Sequence, residues 1–294
     1  MDILTKRESS YIGRFAPSPT GPLHFGSLVA AVASYLDARS QRGLWYLRIE
    51  DLDPARESAS APNVIMQQLA LHGLNWDGAV LYQSDRLDAY LQARDQLSHD
   101  EYLYPCTCSR KETPRVYSGH CLDNGVNDLN QPHSLRFHIK EPELGIQDRL
   151  FGPLQWTKQL DMGDFIVRRK DGLNAYHLAV VVDDIYQGIT DVLRGADLVD
   201  STPLQLSLFK ALQKTPPRYC HIPVVLGTDG RKLSKQAFAE PISSKTAAEN
   251  IRRALVFLDQ KNIQGNSVNE LLQNAARSWD LERIPRLRGR SERM

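Results

Sequence analysis

The sequence predicts an α/β fold built on a parallel sheet that binds an anionic nucleotide. Three observations predict it. A Gly/Pro-rich turn, Arg14-Phe-Ala-Pro-Ser-Pro-Thr-Gly-Pro-Leu-His24-Phe-Gly26-Ser27, opens onto a run with helical periodicity. Short apolar runs then alternate with helical stretches, as in strand-helix-strand units. Far downstream stands a basic cluster, Lys232-Leu-Ser-Lys235-Gln. Backbone N–H groups and the dipole at a helix start attract phosphate, and distant lysines can supply the opposing cation.

The elements follow in order. Tyr11 to Phe15 is the first strand, so the His-x-Gly turn falls at the carboxyl end of a parallel strand, where such sheets bind ligands. From Ser27 to Arg42, Leu28, Val32, Tyr35 and Leu36 recur at helical spacing, and Leu44 to Ile49 reads as a buried strand. Two further helices are expected, with Ser60 and Ser84 as caps and Pro62 near a first helical position. Leu87, Tyr90, Leu91, Arg94 and Leu97 form the stripe of the second. Between Cys106 and His133 the texture turns polar. Leu135, Phe137 and Ile139 then alternate with Arg136, His138 and Lys140, which predicts an inserted antiparallel piece. The parallel sheet is expected to resume at Tyr176 to Val182, whose continuous apolar run fits a strand covered on both faces, and at Ile189 to Leu193. A helix follows Thr202-Pro203. After Lys214 mostly helix is expected, and the Arg-rich end from Arg283 to Arg293 reads as a loose, solvated tail.

With 294 residues, 41% of them hydrophobic and 24% charged, the chain can bury a sizeable core and is neither disordered nor fibrous. The longest apolar run, Leu178 to Val182, is far short of the ~18 residues of a membrane span. Met1 to Ser10 lacks a secretory apolar core, so a cytoplasmic location is expected. A net charge of +1 gives no general attraction to polyanions, and any RNA contact must come from a local patch. Cys106, Cys108, Cys121 and the remote Cys220 do not make a disulfide framework, which leaves metal binding as the better reading. Cys106-x-Cys108, followed after twelve residues by Cys121, offers three thiolates for tetrahedral zinc. Spacing alone nominates either His120 or Tyr117 as the fourth ligand, and Cys220 reads as a small buried apolar residue.

His24-Phe-Gly26-Ser27 and Lys232-Leu-Ser-Lys235-Gln resemble the HIGH and KMSKS motifs of the glutamyl branch of the class I aminoacyl-tRNA synthetases. The resemblance runs from about Tyr11 to Gln236. Ser27 stands where the general motif has its second histidine, a residue the glutamyl branch often lacks. Because 58 residues follow Gln236, leaving no room for a helical anticodon-binding region, the likeness is to the short members of that branch. The resemblance implies a Rossmann-like parallel sheet with an inserted zinc-containing subdomain and a C-terminal helical region. Its limits would be 1–104 and 166–214 for the two halves of the catalytic domain, 105–165 for the insertion, and 215–294 for the helical part.

The activity so implied is ATP-dependent activation of L-glutamate to glutamyl-adenylate without bound tRNA. Glutamate is then transferred to the queuosine base at the wobble position of tRNA(Asp), with the anticodon loop entering the cleft. His24 and Lys235 would act on the phosphates, and His24, Gly26, Ser27, Lys232, Ser234 and Lys235 would bind ATP with its Mg²⁺. Arg14, Phe15, Ala16, Pro17, Ser18, Glu50, Tyr176 and Arg194 would line the amino-acid pocket. An amino acid with two carboxylates and one ammonium needs fixed cations and a fixed anion there. The family pattern selects Tyr117 as the zinc ligand beside Cys106, Cys108 and Cys121, in a structural role. A monomer is expected. Two other readings are a truncated glutamyl-tRNA synthetase charging the 3′ end of tRNA(Glu), and a non-catalytic RNA-binding relative.

Overall fold

A computed structural model of the chain describes residues 11–109, 111–114, 116–126, 128–227, 229–233, 240–260 and 262–292. The first half alternates β1 (Ile12–Phe15), α1 (Phe25–Ser40), β2 (Leu44–Ile49), α2 (Ala61–Leu71), β3 (Leu81–Tyr82) and α3 (Leu87–His99). β1 and β3 both pair in parallel with β2, with Ile12 opposite Leu44 and Arg48 opposite Leu81. An antiparallel region follows: β4 (Leu103–Cys106), the short helix α4 (His120–Asn124), β5 (Ser134–Phe137), the hairpin of β6 (Glu143–Asp148) and β7 (Gly152–Thr157), and β8 (Phe165–Arg168). β5 lies between β4 and β8.

The chain then returns through α5 (Tyr176–Tyr186), β9 (Asp191–Gly195), α6 (Thr202–Ala211), β10 (Arg218–Ile222) and β11 (Val224–Leu226), and closes with α7 (Ala247–Phe257), α8 (Val268–Arg277) and β12 (Gly289–Ser291). β9 and β10 are parallel partners. The Thr190 N–H donates to the Ile12 carbonyl at 2.9 Å, which seats this pair against β1 on the side away from β2. The chain therefore leaves β1 in opposite directions to reach β2 and β9. Such a switch point opens a crevice at the carboxyl ends of the strands.

Alternate residues of these strands enter different cores, as expected of strands covered on both faces. Trp45, Leu47, Leu193 and Cys220 pack with α1, α7 and α8, whereas Tyr46, Val192 and Tyr219 pack with α3, α5 and α6. α1 carries the first core. Leu28, Val32 and Leu36 are fully buried, each contributing about 1.5–3 kcal/mol by leaving water. Cys220 is fully buried too, as the sequence reading has it, and burial pushes its thiol pKa well up.

Several expectations need correction. Tyr176–Tyr186 is a helix, not a strand: its five-residue apolar run suits either, and the buried Asp183 and Asp184 that follow continue the helix into polar partners. Ser84 does not cap α3. It lies in a 3₁₀ turn over Gln83–Arg86, where its N–H and hydroxyl both donate to Asp51. Ser60 precedes α2 without a side-chain cap, although Pro62 does sit in the first turn. On α3 only Tyr90 and Leu97 of the expected stripe are buried, while Leu87 and Leu91 face solvent. Two strands, β10 and β11, lie in the stretch expected to be mostly helical, and β10 extends the parallel sheet. The Arg-rich end is docked: β12 pairs with β11, Ile284 is buried, and Arg290 donates to Asp259 at 3.0 Å. No helix among the described residues is long and apolar enough to cross a membrane.

Candidate active site and metal centre

At the strand ends a cleft of about 230 Å³ is lined by Arg14, Phe15 and Ala16 from β1 and its turn, His24, Gly26 and Ser27 from the start of α1, and Glu50, Tyr176, Arg194 and Lys232. Pro17 and Ser18 line an adjoining cavity of about 840 Å³ that shares Phe15, His24, Ser27, Glu50, Tyr176 and Lys232 with it. Residues far apart in sequence thus meet at one crevice. Ser234 and Lys235 lie outside the described residues.

The His-x-Gly spacing has a local cause. His24 is extended at the N-cap of α1 and its Nδ1 accepts the Ser27 N–H at 3.2 Å, so the ring folds back over residue 26. A Cβ at Gly26 would stand 3.1 Å from His24 Cε1 and 3.2 Å from Nδ1, tighter than ordinary packing allows. Glycine there lets the imidazole sit against the helix start without shifting. The arrangement presents a positively polarised helix end and a histidine ring to one small volume, which suits phosphate oxygens.

The cations of the cleft are held by groups that the sequence reading missed. Asp184, buried on α5, accepts from Arg14 Nε at 3.2 Å and Nη2 at 3.4 Å, and from Arg48 Nη1 at 2.7 Å. Burial opposes the charge on Asp184, but Arg14 and Arg48 outweigh it and hold its pKa below the usual carboxylate range. Arg48 reaches on to Gln187 at 2.9 Å and to Glu50 at 3.4 Å. Glu50 behaves oppositely. Burial outweighs the attraction of Arg48 and Arg14, and its pKa is raised. A half-satisfied buried carboxylate of this kind suits an incoming ammonium. Arg194 instead has neutral partners: Gln205 Oε1 at 2.7 Å, Thr202 Oγ1 at 2.9 Å and His221 Nε2 at 3.1 Å. Lys232 forms a close ion pair with Asp197, tying the loop after β11 to the turn after β9. Tyr176 is 37% exposed at the rim.

The second cluster is in the insertion. Sγ atoms of Cys106, Cys108 and Cys121 all lie within 4.8 Å of one another. Tyr117 Oη is 3.4 Å from Cys108 Sγ, 3.7 Å from Cys106 Sγ, and accepts the Cys121 N–H at 2.9 Å. His120 lies outside this group, with its Nδ1 3.1 Å from the Asn124 amide. Arg136 is buried: its guanidinium stacks on the Tyr117 ring at 3.7 Å and Nε donates to Cys106 Sγ at 3.0 Å. Burial raises the Cys106 pKa, but the hydrogen bonds from Arg136 and Tyr117 prevail and lower it to about 7. Gly163 permits the close approach that closes this lobe, since a Cβ there would fall 2.5 Å from the Tyr117 carbonyl oxygen. Three soft thiol donors and one phenol oxygen around one point fit a four-coordinate zinc ion.

Residues 12–258 match the family model described as tRNA synthetases class I (E and Q), catalytic domain. The fold resembles the crystal structure of a glutamate tRNA ligase from Elizabethkingia meningosepticum in complex with its amino acid, with a TM-score of 0.79 and 23% identity over 97% of this chain and 67% of that one. The protein is a class I synthetase of the glutamate and glutamine type. Among its relatives, a glutamyl-Q tRNA(Asp) synthetase from Pseudomonas aeruginosa is 46% identical over 95% of this chain and 96% of its own. One of the same description from Klebsiella pneumoniae is 46% identical over 94% and 96%. The chain belongs to the glutamyl-Q tRNA(Asp) synthetase family.

Proposed function

We propose that the chain activates L-glutamate with ATP in the absence of tRNA and transfers it to queuosine at the wobble position of tRNA(Asp), acting as a monomer in the cytoplasm. The supporting observation is a crevice that gathers Arg14, Arg194, Glu50, His24 and Lys232 at the strand ends, in a family whose members carry that activity in their names. In the first step a glutamate carboxylate oxygen attacks the α-phosphorus of ATP, and the bond to pyrophosphate breaks. In the second, a ring hydroxyl of queuosine attacks the acyl carbon and AMP leaves. Neither step needs a covalent enzyme intermediate, so the protein's work is positioning and neutralising charge on the phosphoryl oxygens.

Roles follow from chemistry. His24, the N–H groups of Gly26 and Ser27, Lys232, Ser234 and Lys235 hold the ATP phosphates, and Mg²⁺ arrives with ATP as part of that substrate. Arg14 and Arg194 take the substrate carboxylates, Glu50 takes its ammonium, and Phe15 to Ser18 with Tyr176 shape the pocket. A guanidinium that pairs with a carboxylate gains much less from an amide of equal shape, which favours glutamate over glutamine. Cys106, Cys108, Tyr117 and Cys121 would hold zinc, which when bound cross-links the inserted lobe. Domain limits of 1–104 with 166–214, 105–165 and 215–294 belong to the same proposal, with β10 in the last segment continuing the catalytic sheet and β11 pairing with β12.

The experiment supplies labelled glutamate and ATP with queuosine-containing or unmodified tRNA(Asp). The expected result is label on the modified tRNA only, surviving removal of its terminal adenosine. Equal labelling of both tRNAs, or label on the 3′ end of tRNA(Glu), would overturn the acceptor assignment.

A further inference from the structure

Asp148 and His221 belong to no motif, yet they end on Arg194. Asp148 closes β6 and His221 lies on β10, and both are fully buried. His221 Nδ1 is 2.7 Å from Asp148 Oδ2, while Asp148 Oδ1 accepts the N–H groups of Leu150 and Phe151, each at 2.9 Å. On the other side of the ring, Arg194 Nε is 3.1 Å from Nε2.

This chain of contacts permits one protonation state. Arg194 can only donate, so Nε2 must be bare, and the ring proton must sit on Nδ1 and be donated to Asp148. Asp148 is well set to accept it. Burial opposes its charge, but the hydrogen bonds from His221 and the two backbone N–H groups prevail and hold its pKa below the usual carboxylate range. The imidazole itself is driven towards its neutral form, by burial first and by Arg194 as well, against the pull of Asp148. The remaining groups around the ring are the Tyr219 ring, stacked at 6.0 Å, the Thr202 hydroxyl at 3.2 Å, and the more distant charge of Asp197.

Arg194 therefore has an acceptor at its Nε fixed by a tautomer, an amide oxygen at Nη1 and a hydroxyl at Nη2. No carboxylate forms an ion pair with it among the described residues, so its full charge is available to the cleft. We propose that Asp148 and His221 form a tautomer-setting pair that positions the Arg194 guanidinium for a carboxylate of the amino-acid substrate. The inference rests on the reading of Arg194 as a substrate ligand. Neither residue touches substrate, so both are positioning residues.

Asp148→Asn tests this with almost no change of shape. An amide that turns its NH₂ towards Nδ1 forces the ring proton to Nε2, where it opposes the Arg194 Nε–H. The structure assigns Nδ1–H to His221 in the wild type, to be read from imidazole ¹⁵N shifts in histidine-labelled protein without substrate. In the Asp148→Asn variant the proton should move to Nε2. The glutamate KM in pyrophosphate exchange should rise about tenfold or more, the scale of one charge-assisted hydrogen bond, while the ATP KM stays within about twofold. His221→Gln, which can keep an acceptor near the Nε2 position, should recover part of the loss seen in His221→Phe. An Nε2–H tautomer in the wild type would overturn the inference. So would an unchanged glutamate KM in Asp148→Asn, or both KM values rising together with a lowered melting temperature. If the wild type fails to activate glutamate, the functional reading falls, and the tautomer measurement still decides this one.

Discussion

As the proposed ammonium ligand, Glu50 would join solution pH to substrate binding. Its carboxylate sits 3.4 Å from Arg48, yet burial keeps its pKa above the ordinary range. The ionised form is the one that holds an ammonium, so glutamate affinity is complete above the raised pKa and is lost as pH falls through it. Glutamate KM should therefore climb at a higher pH than an ordinary carboxylate would produce, while the ATP KM stays flat over the same range. Glu50→Gln should lower kcat/KM for glutamate by about 10²-fold, the scale of a truncated buried charge pair, and abolish that pH dependence. A pH profile for Glu50→Gln that overlays the wild type would remove Glu50 from the ammonium site. Asp184 was not readable beforehand, because nothing in Asp183-Asp184 says that one of them will meet Arg14 and Arg48 across more than a hundred residues.

At the scale of elements, local patterns were readable and long-range ones were not. β2 begins and ends where its apolar run does, and α1 lies within two residues of the expected run Ser27 to Arg42 at each end. By contrast, five apolar residues could not distinguish the helix Tyr176–Tyr186 from a strand, since burial on every side erases the periodicity that separates them. β10 and β11 are five and three residues long and are separated by Pro223, too short and too interrupted to show a strand pattern of their own. The role of Arg136 was not readable, because alternation carries no information about a cysteine cluster beneath it. Wild-type protein purified without chelator should carry about one zinc per chain by elemental analysis, and Cys121→Ser should lose most of it with a clear fall in melting temperature. Metal-free wild type of undiminished melting temperature would leave the thiols as ordinary core residues.

For the whole molecule, the switch point beside β1 brings the start of α1, the proposed phosphate site, against the arginine-bearing strand of the second half. The motifs at His24 and Lys232 were readable because their chemistry is local, whereas the supports of Arg14 and Arg194 come from β6, α5, α6 and β10 and exist only once the chain is folded. The crevice, as proposed, joins glutamate to AMP with the polypeptide alone. Pyrophosphate exchange into ATP, measured on purified protein without RNA, tests it most directly. Exchange should appear with L-glutamate, stay near background with L-glutamine, and fall by about 10²–10³-fold in Lys235→Ala, as for loss of one donor aimed at developing phosphoryl charge. Exchange that appears only when tRNA is added, or that is equal for the two amino acids, would contradict the account.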